Sequence, residues 1–136
     1  MVNKFPLKRG ISTGEFKPTI LVVDNQPLIG EMLTQFLGRH NHEALFFTSG
    51  KKALTHLKTN EAVNLLLTDM VMPKMSGLEL VRQVKTLYPE LPIIVMSGSA
   101  DGRDRDEIFK LGADFIPKPF QLIDLLMLIN SRLTQV

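Results

Sequence analysis

From Thr19 onward the chain alternates short, uniformly apolar runs with stretches in which apolar residues recur every three or four positions. The first run, Thr19-Ile20-Leu21-Val22-Val23, lacks the polar alternation of a strand with one wet face, so it predicts a strand covered on both sides. Asp24 ends it. Pro27 suits the first turn of a helix, where its missing N–H costs little, and that helix runs to about Arg39. Glu43 to Phe47 reads as a second strand, and Ser49 can cap a helix over roughly 50–58. Val63 to Thr68 is another buried run, followed by a loop containing Pro73 and Gly77. Leu78, Val81, Val84 and Leu87 then recur at helical spacing before Pro89. Pro92 opens the run Ile93-Ile94-Val95-Met96, which Ser97-Gly98 ends. A charged helix over about 101–111, a short strand from Ala113 to Ile116 and a last helix over about 120–134 complete the chain. Five strands and five helices in strict β-α order predict an α/β fold, a parallel sheet with helices on both faces and right-handed crossovers.

In such a sheet, functional groups gather just past the carboxyl ends of the strands. Those positions hold Asp24-Asn25, Asp69, Ser97 and Lys118. Two carboxylates in oxygen-rich surroundings suit a hard cation such as Mg²⁺. An ammonium and a hydroxyl suit the oxygens of a transferring phosphoryl group. One polar residue at a strand end means little, but four at one edge form a constellation.

Composition narrows the class. The 136 residues are 44% hydrophobic and 22% charged, as in an ordinary single globular domain. With no cysteine there is no disulfide scaffold, thiolate metal site or cysteine nucleophile. The net charge is +2, but residues 1–17 alone carry +3 through Lys4, Lys8, Arg9 and Lys17 against Glu15, which leaves −1 for residues 18–136. The body therefore lacks the basic footprint of a nucleic-acid binder, and no direct nucleic-acid binding is expected of this chain. No apolar stretch is long enough for a membrane span and no signal-peptide pattern opens the chain, so a cytoplasmic location is expected. Residues 1–17 mix Lys, Pro, Gly, Ser and Thr and read as an N-terminal arm; residues 18–136 form the domain.

The motifs carry a resemblance. Ile20-Leu21-Val22-Val23-Asp24, Leu65-Leu66-Leu67-Thr68-Asp69-Met70-Val71-Met72-Pro73-Lys74-Met75-Ser76-Gly77, Ile94-Val95-Met96-Ser97-Gly98 and Gly112-Ala113-Asp114-Phe115-Ile116-Pro117-Lys118-Pro119-Phe120 resemble, in order, the receiver domain of two-component response regulators. The resemblance implies a doubly wound, flavodoxin-like five-stranded sheet of order 2-1-3-4-5. It implies a signalling module, not a turnover enzyme, in which Asp69 takes a phosphoryl group from a histidine kinase or phosphotransfer protein, with slow autodephosphorylation. It places Asp24, Asn25, Asp69 and the backbone carbonyl of Val71 around Mg²⁺, Ser97 and Lys118 on the phosphoryl group, and Phe115 as the aromatic switch. The peptide between Lys118 and Pro119 would be cis.

Two residues depart from the pattern. The family has a second acid where Asn25 stands, which lowers the ligand charge and should weaken Mg²⁺ binding. An amide oxygen can still coordinate. The alternative is a degenerate receiver that acts as a phosphorylation-independent interaction module. Phe115 lacks the hydroxyl of a tyrosine, so it can fill a pocket but not hydrogen-bond in it.

A haloacid-dehalogenase phosphatase would need a second Asp where Val71 stands, and a flavodoxin would need a hydroxyl- and Gly-rich loop where Asp24-Asn25-Gln26-Pro27 stands. His40, His42 and His56 match no zinc spacing and read as surface residues. In the last helix Leu122, Leu125, Leu126, Ile129 and Leu133 form the core stripe. Ile123, Met127 and Leu128 fall off it. They suggest an interface on the output surface formed by the fourth helix, fifth strand and fifth helix, meeting a homodimer partner or a fused output domain.

Overall fold

The computed structural model describes residues 16–59, 61–98 and 102–134. The expected arm therefore lies almost wholly outside the described residues. Strand and helix alternate throughout: β1 (Thr19–Val23), α1 (Pro27–Arg39), β2 (Glu43–Phe47), α2 (Gly50–Leu57), β3 (Leu65–Asp69), α3 (Gly77–Leu87), β4 (Ile93–Ser97), α4 (Gly102–Lys110), β5 (Asp114–Pro117) and α5 (Leu122–Leu133). The strands are parallel in the order β2-β1-β3-β4-β5, as the resemblance implied. None of the helices in the described residues is long and apolar enough to cross a membrane.

The two-residue period of the strands sorts their side chains into two cores. Ile20, Val22, Leu65, Leu67, Ile94 and Met96 meet Leu33 and Leu37 of α1 and Leu125 and Ile129 of α5. On the other face Leu21, Val23, Leu66, Ile93 and Val95 meet apolar side chains of α2, α3 and α4. This two-sided burial is why the strands read as continuous apolar runs. Ser49 and Ser76 cap α2 and α3, their hydroxyls accepting from the amides of Lys52 (3.2 Å) and Glu79 (3.1 Å). Helix α4 is attached differently. Ile108 is its buried apolar anchor, and Arg82 on α3 reaches Glu107 at 3.0 Å.

The histidines correct a sequence expectation. His40 is exposed, but His42 is buried, with Nε2 donating to Asn130 Oδ1 of α5 at 2.9 Å. His56 packs its ring against Phe47, with centroids 5.3 Å apart. A partner 88 residues away leaves no trace in the local pattern around His42.

Gly77 fixes how closely α3 approaches the end of β3. Its amide donates to the Met70 carbonyl at 2.8 Å, and a Cβ here would collide with the Asp69 carbonyl oxygen and the Met70 Cα. Both obstacles are backbone, so rotamer changes cannot relieve them. Gly77→Ala is expected to cost about 2–3 kcal/mol in urea denaturation. Gly30→Ala, whose Cβ would first meet the far end of the Phe46 ring, a side chain that can move, should cost less.

Candidate functional site

Strand register decides what meets at the carboxyl edge of the sheet. Val23 pairs with Thr68, so Asp24 and Asp69 lie level at the ends of neighbouring strands. Asp69 pairs with Met96 and Ser97 with Pro117, so Ser97 and Lys118 each lie one step further along. Asp24, Asp69 and Ser97 are buried and Lys118 is half-buried. The four polar residues read from the strand ends therefore occupy adjoining positions at one edge.

Lys118 Nζ donates to Asp69 Oδ1 at 2.8 Å and stands 3.9 Å from Asp24 Oδ2. Its backbone amide donates to the Ser97 carbonyl at 2.7 Å, and the Lys118–Pro119 peptide is cis. Asp24 is fully buried; Oδ1 accepts from the Gln26 amide at 2.9 Å, and Oδ2 has no hydrogen-bond donor. Burial raises the Asp24 carboxyl above the ordinary aspartate range. The Gln26 amide opposes this, the Asp69 charge adds to it and Lys118 opposes it. Two carboxylates thus share one ammonium, and a buried carboxylate oxygen remains available to a further positive charge.

Asn25 and Val71 follow the two carboxylates directly, and both side chains are exposed. Among the described residues no three His, Asp or Glu side chains cluster as a metal site would require. Hard-cation ligands here would have to include amide or carbonyl oxygens beside Asp24 and Asp69.

Val95 pairs with Phe115, so Phe115 leaves the sheet on the same face as Ser97, two residues beyond Val95. The Phe115 ring is half-buried against the α2–α4 core, and the Arg105 guanidinium of α4 lies over it, 5.1 Å from the centroid. Sequence reasoning missed Arg105. In the run Arg103-Asp104-Arg105-Asp106-Glu107 nothing marks one cation from another.

The residues expected on an output surface divide. Arg132 pairs with Asp114, its Nη2 donating to Oδ1 at 2.8 Å, so that flank of α5 faces β5. Leu128, one turn earlier, lies on this flank but is half-buried against the α1/α5 core and is not an exposed contact residue. Ile123 and Met127 are 54% and 64% exposed. At 100° per residue they point about 140–180° away from Arg132, toward the flank where Asn130 meets His42. They are therefore not on the β5 side of α5, because membership of the core stripe says which residues fall off it, not toward which neighbour.

Comparisons with known proteins match this arrangement. The sequence model of the response regulator receiver domain matches residues 20–130. The chain is 34% identical over 118 residues to the response regulator GtcR of Aneurinibacillus migulanus, covering 85% of this chain and 47% of that protein. It is 35% identical over 116 residues to the DNA-binding transcriptional regulator NtrC of Azospirillum brasilense, covering 85% of this chain and 24% of that protein. The chain thus spans about half or less of these curated relatives. Among solved structures, a response regulator receiver protein from Pseudomonas putida superposes with a TM-score of 0.81 at 32% identity, covering 85% of this chain and 98% of that one. A CheY-like receiver domain protein from Methanospirillum hungatei gives 0.83 at 29% identity, covering 87% and 94%. With the sheet order and the family match over most of its length, the chain belongs to the response regulator receiver domains of two-component signalling.

Proposed function

We propose that this receiver is phosphorylated on Asp69 by a partner histidine kinase or phosphotransfer protein. The observation that carries this reading is the convergence of Lys118 Nζ on Asp69 Oδ1, at 2.8 Å, beside the buried and donor-less Oδ2 of Asp24. An Asp69 carboxylate oxygen attacks the phosphorus of the donor phosphohistidine. The P–O bond forms as the P–N bond breaks, and the imidazole leaves with the electron pair. Lys118 and Ser97 are placed to hold phosphoryl oxygens, Lys118 by charge and Ser97 by its hydroxyl.

Receiver domains generally bind Mg²⁺ at the phosphorylation site. Here Asp24, Asn25, Asp69 and the Val71 carbonyl would hold it, and the unsatisfied Asp24 oxygen fits that role. The ion supplies positive charge against the phosphoryl oxygens. Asn25 brings an amide in place of a carboxylate, so the affinity is reduced and the reaction needs more Mg²⁺. The same residue favours a second reading, a receiver that binds partners without being phosphorylated.

The consequence of phosphorylation leaves through Phe115. Ser97 moves toward the new oxygens, Phe115 on the same sheet face turns into the space released, and the surface of α4, β5 and α5 changes. A fused output domain or a second copy reads that surface, in the cytoplasm. The module returns to rest by slow hydrolysis and is not a turnover enzyme.

Ionised Asp24 is less at ease in the fold than in the unfolded chain, so its raised carboxyl contributes stability in acid that is lost as pH rises through the folded value. Asp24→Asn should therefore raise the melting temperature at neutral pH by roughly 3–6 °C, with the gain vanishing in acid. Mg²⁺ should stabilise the wild type and have little effect on this variant, as read by thermal unfolding across pH.

Intact-mass spectrometry after incubation with acetyl phosphate and Mg²⁺ is expected to show one phosphoryl adduct, absent in Asp69→Asn. Asn25→Asp should reach the same occupancy at a Mg²⁺ concentration lower by about tenfold or more. No adduct in folded wild type at any Mg²⁺ concentration, with an adduct in Asn25→Asp, would establish the binding-only reading.

A further inference from the structure

Helix α4 is held at three places, and the helical period sets them on different sides. Ile108 is buried and makes the apolar anchor. Glu107, one residue earlier, turns toward α3 and accepts from Arg82 at 3.0 Å. Arg105 lies about 200° round the helix from Glu107 and so faces the opposite neighbour, β5. There its guanidinium carbon stands 5.1 Å from the centroid of the Phe115 ring. Arg82 and Arg132 are each held by carboxylates, those of Glu79 and Glu107 and that of Asp114. Among the described residues Arg105 makes no ion pair, and the face of Phe115 is its contact. Phe115 in turn has no hydroxyl, so the negative face of its ring is the polar handle by which the fold can fix its orientation.

We propose that Arg105 is a latch on the aromatic switch: it holds Phe115 in its resting orientation, and phosphorylation must break this contact before the ring can turn. The inference rests on the reading of Asp69 as phosphoacceptor and names a positioning residue that sets how readily that site switches. The Phe115 ring packs on the α2–α4 core, and Arg105 is exposed on α4. A ring turning into the space beside Ser97 therefore moves inward, away from the cation. The guanidinium does not follow, because taking a charge out of water without a carboxylate partner is costly. The contact accordingly favours the resting state alone. A cation over an aromatic ring at an exposed site is worth a factor of about two to five in an equilibrium, enough to bias a switch without locking it. Release also has a direction. The ties that remain, Ile108 and the Arg82–Glu107 pair, lie on the core and α3 sides, so the β5 flank of α4 is the part that gains freedom.

Beryllofluoride with Mg²⁺, a stable mimic of the phosphoryl group on aspartate, tests this by NMR of the full chain. In the resting protein the side-chain protons of Arg105 should lie upfield, displaced by the ring current of Phe115, and Phe115→Leu should abolish the displacement. Saturation with beryllofluoride and Mg²⁺ should return them to ordinary positions. Arg105→Gln should lower the half-saturating beryllofluoride concentration by about two- to fivefold, and Arg105→Lys by less. Lys110→Gln, which removes another exposed cation of α4, should leave it unchanged. In the Phe115→Leu background Arg105→Gln should have no effect, a dependence that a merely structural role for Arg105 would not show. Should the wild type bind no beryllofluoride, Asn25→Asp serves as the parent for the same series. Arg105 signals that stay displaced at saturation, or an equal effect of Arg105→Gln with and without Phe115, overturn the latch and leave the phosphorylation reading standing. Beryllofluoride bound by neither parent overturns the phosphorylation reading and the latch with it.

Discussion

A parallel sheet that ends two neighbouring strands in carboxylates, level with each other and out of water, creates an electrostatic debt that the rest of the site is arranged around. Asp24 has no exposed surface, and one of its oxygens lacks a donor. Lys118 is the ammonium within reach of both acids, and it sits much closer to Asp69 than to Asp24. The cost of holding those charges is met by the two flanking cores, which fix β1, β3 and β4 so firmly that the acids cannot retreat to solvent. Gly77 belongs to the same constraint. By leaving no Cβ in the way, it lets α3 start directly against the Asp69 carbonyl and the Met70 backbone at the end of β3.

An incoming phosphoryl group worsens the same imbalance, and this makes the site a switch in the proposed reading. New negative oxygens draw the groups that can answer them, Lys118 and the Ser97 hydroxyl. Ser97 and Phe115 leave β4 and β5 on the same face, and Arg105 ties that aromatic ring to α4. Helix α4 rests on one buried isoleucine and on ionic and cation–ring contacts at its surface, whereas α1 and α5 each bury several side chains. The element in contact with the aromatic is thus the one whose attachments are cheapest to rearrange.

The fold was legible because its main constraint, burial of a sheet on both faces, acts on every strand residue and so writes itself into continuous apolar runs. Asp24, Asp69, Ser97 and Lys118 could be read for a related reason: each follows a mainly apolar strand at the carboxyl edge, where such sheets gather their functional groups. What stayed hidden depended on pairings between distant residues. His42 looked like a surface histidine until Asn130 met it from α5. Arg105 was one cation among several until Phe115 came beneath it. Leu128, Ile123 and Met127 looked alike as residues off the core stripe. Only the Asp114–Arg132 pair and the His42–Asn130 bond tell the two flanks of α5 apart.

That distinction bears on how two surfaces can coexist in so small a domain. The sheet separates them physically. Ser97 and Phe115 act on the face covered by α2, α3 and α4, while α1 and α5 cover the other. The α1/α5 core is made of fully buried aliphatic side chains locked against β1, β3 and β4, with none of the proposed switch side chains on its face. A charge added at Asp69 can pull Ser97 and release Phe115 without repacking that core, because close-packed interiors resist small displacements and α4 offers an easier route. Contacts made through α1 should accordingly be nearly independent of phosphorylation, whereas contacts made through α4, β5 and the flank of α5 beside them should depend on it.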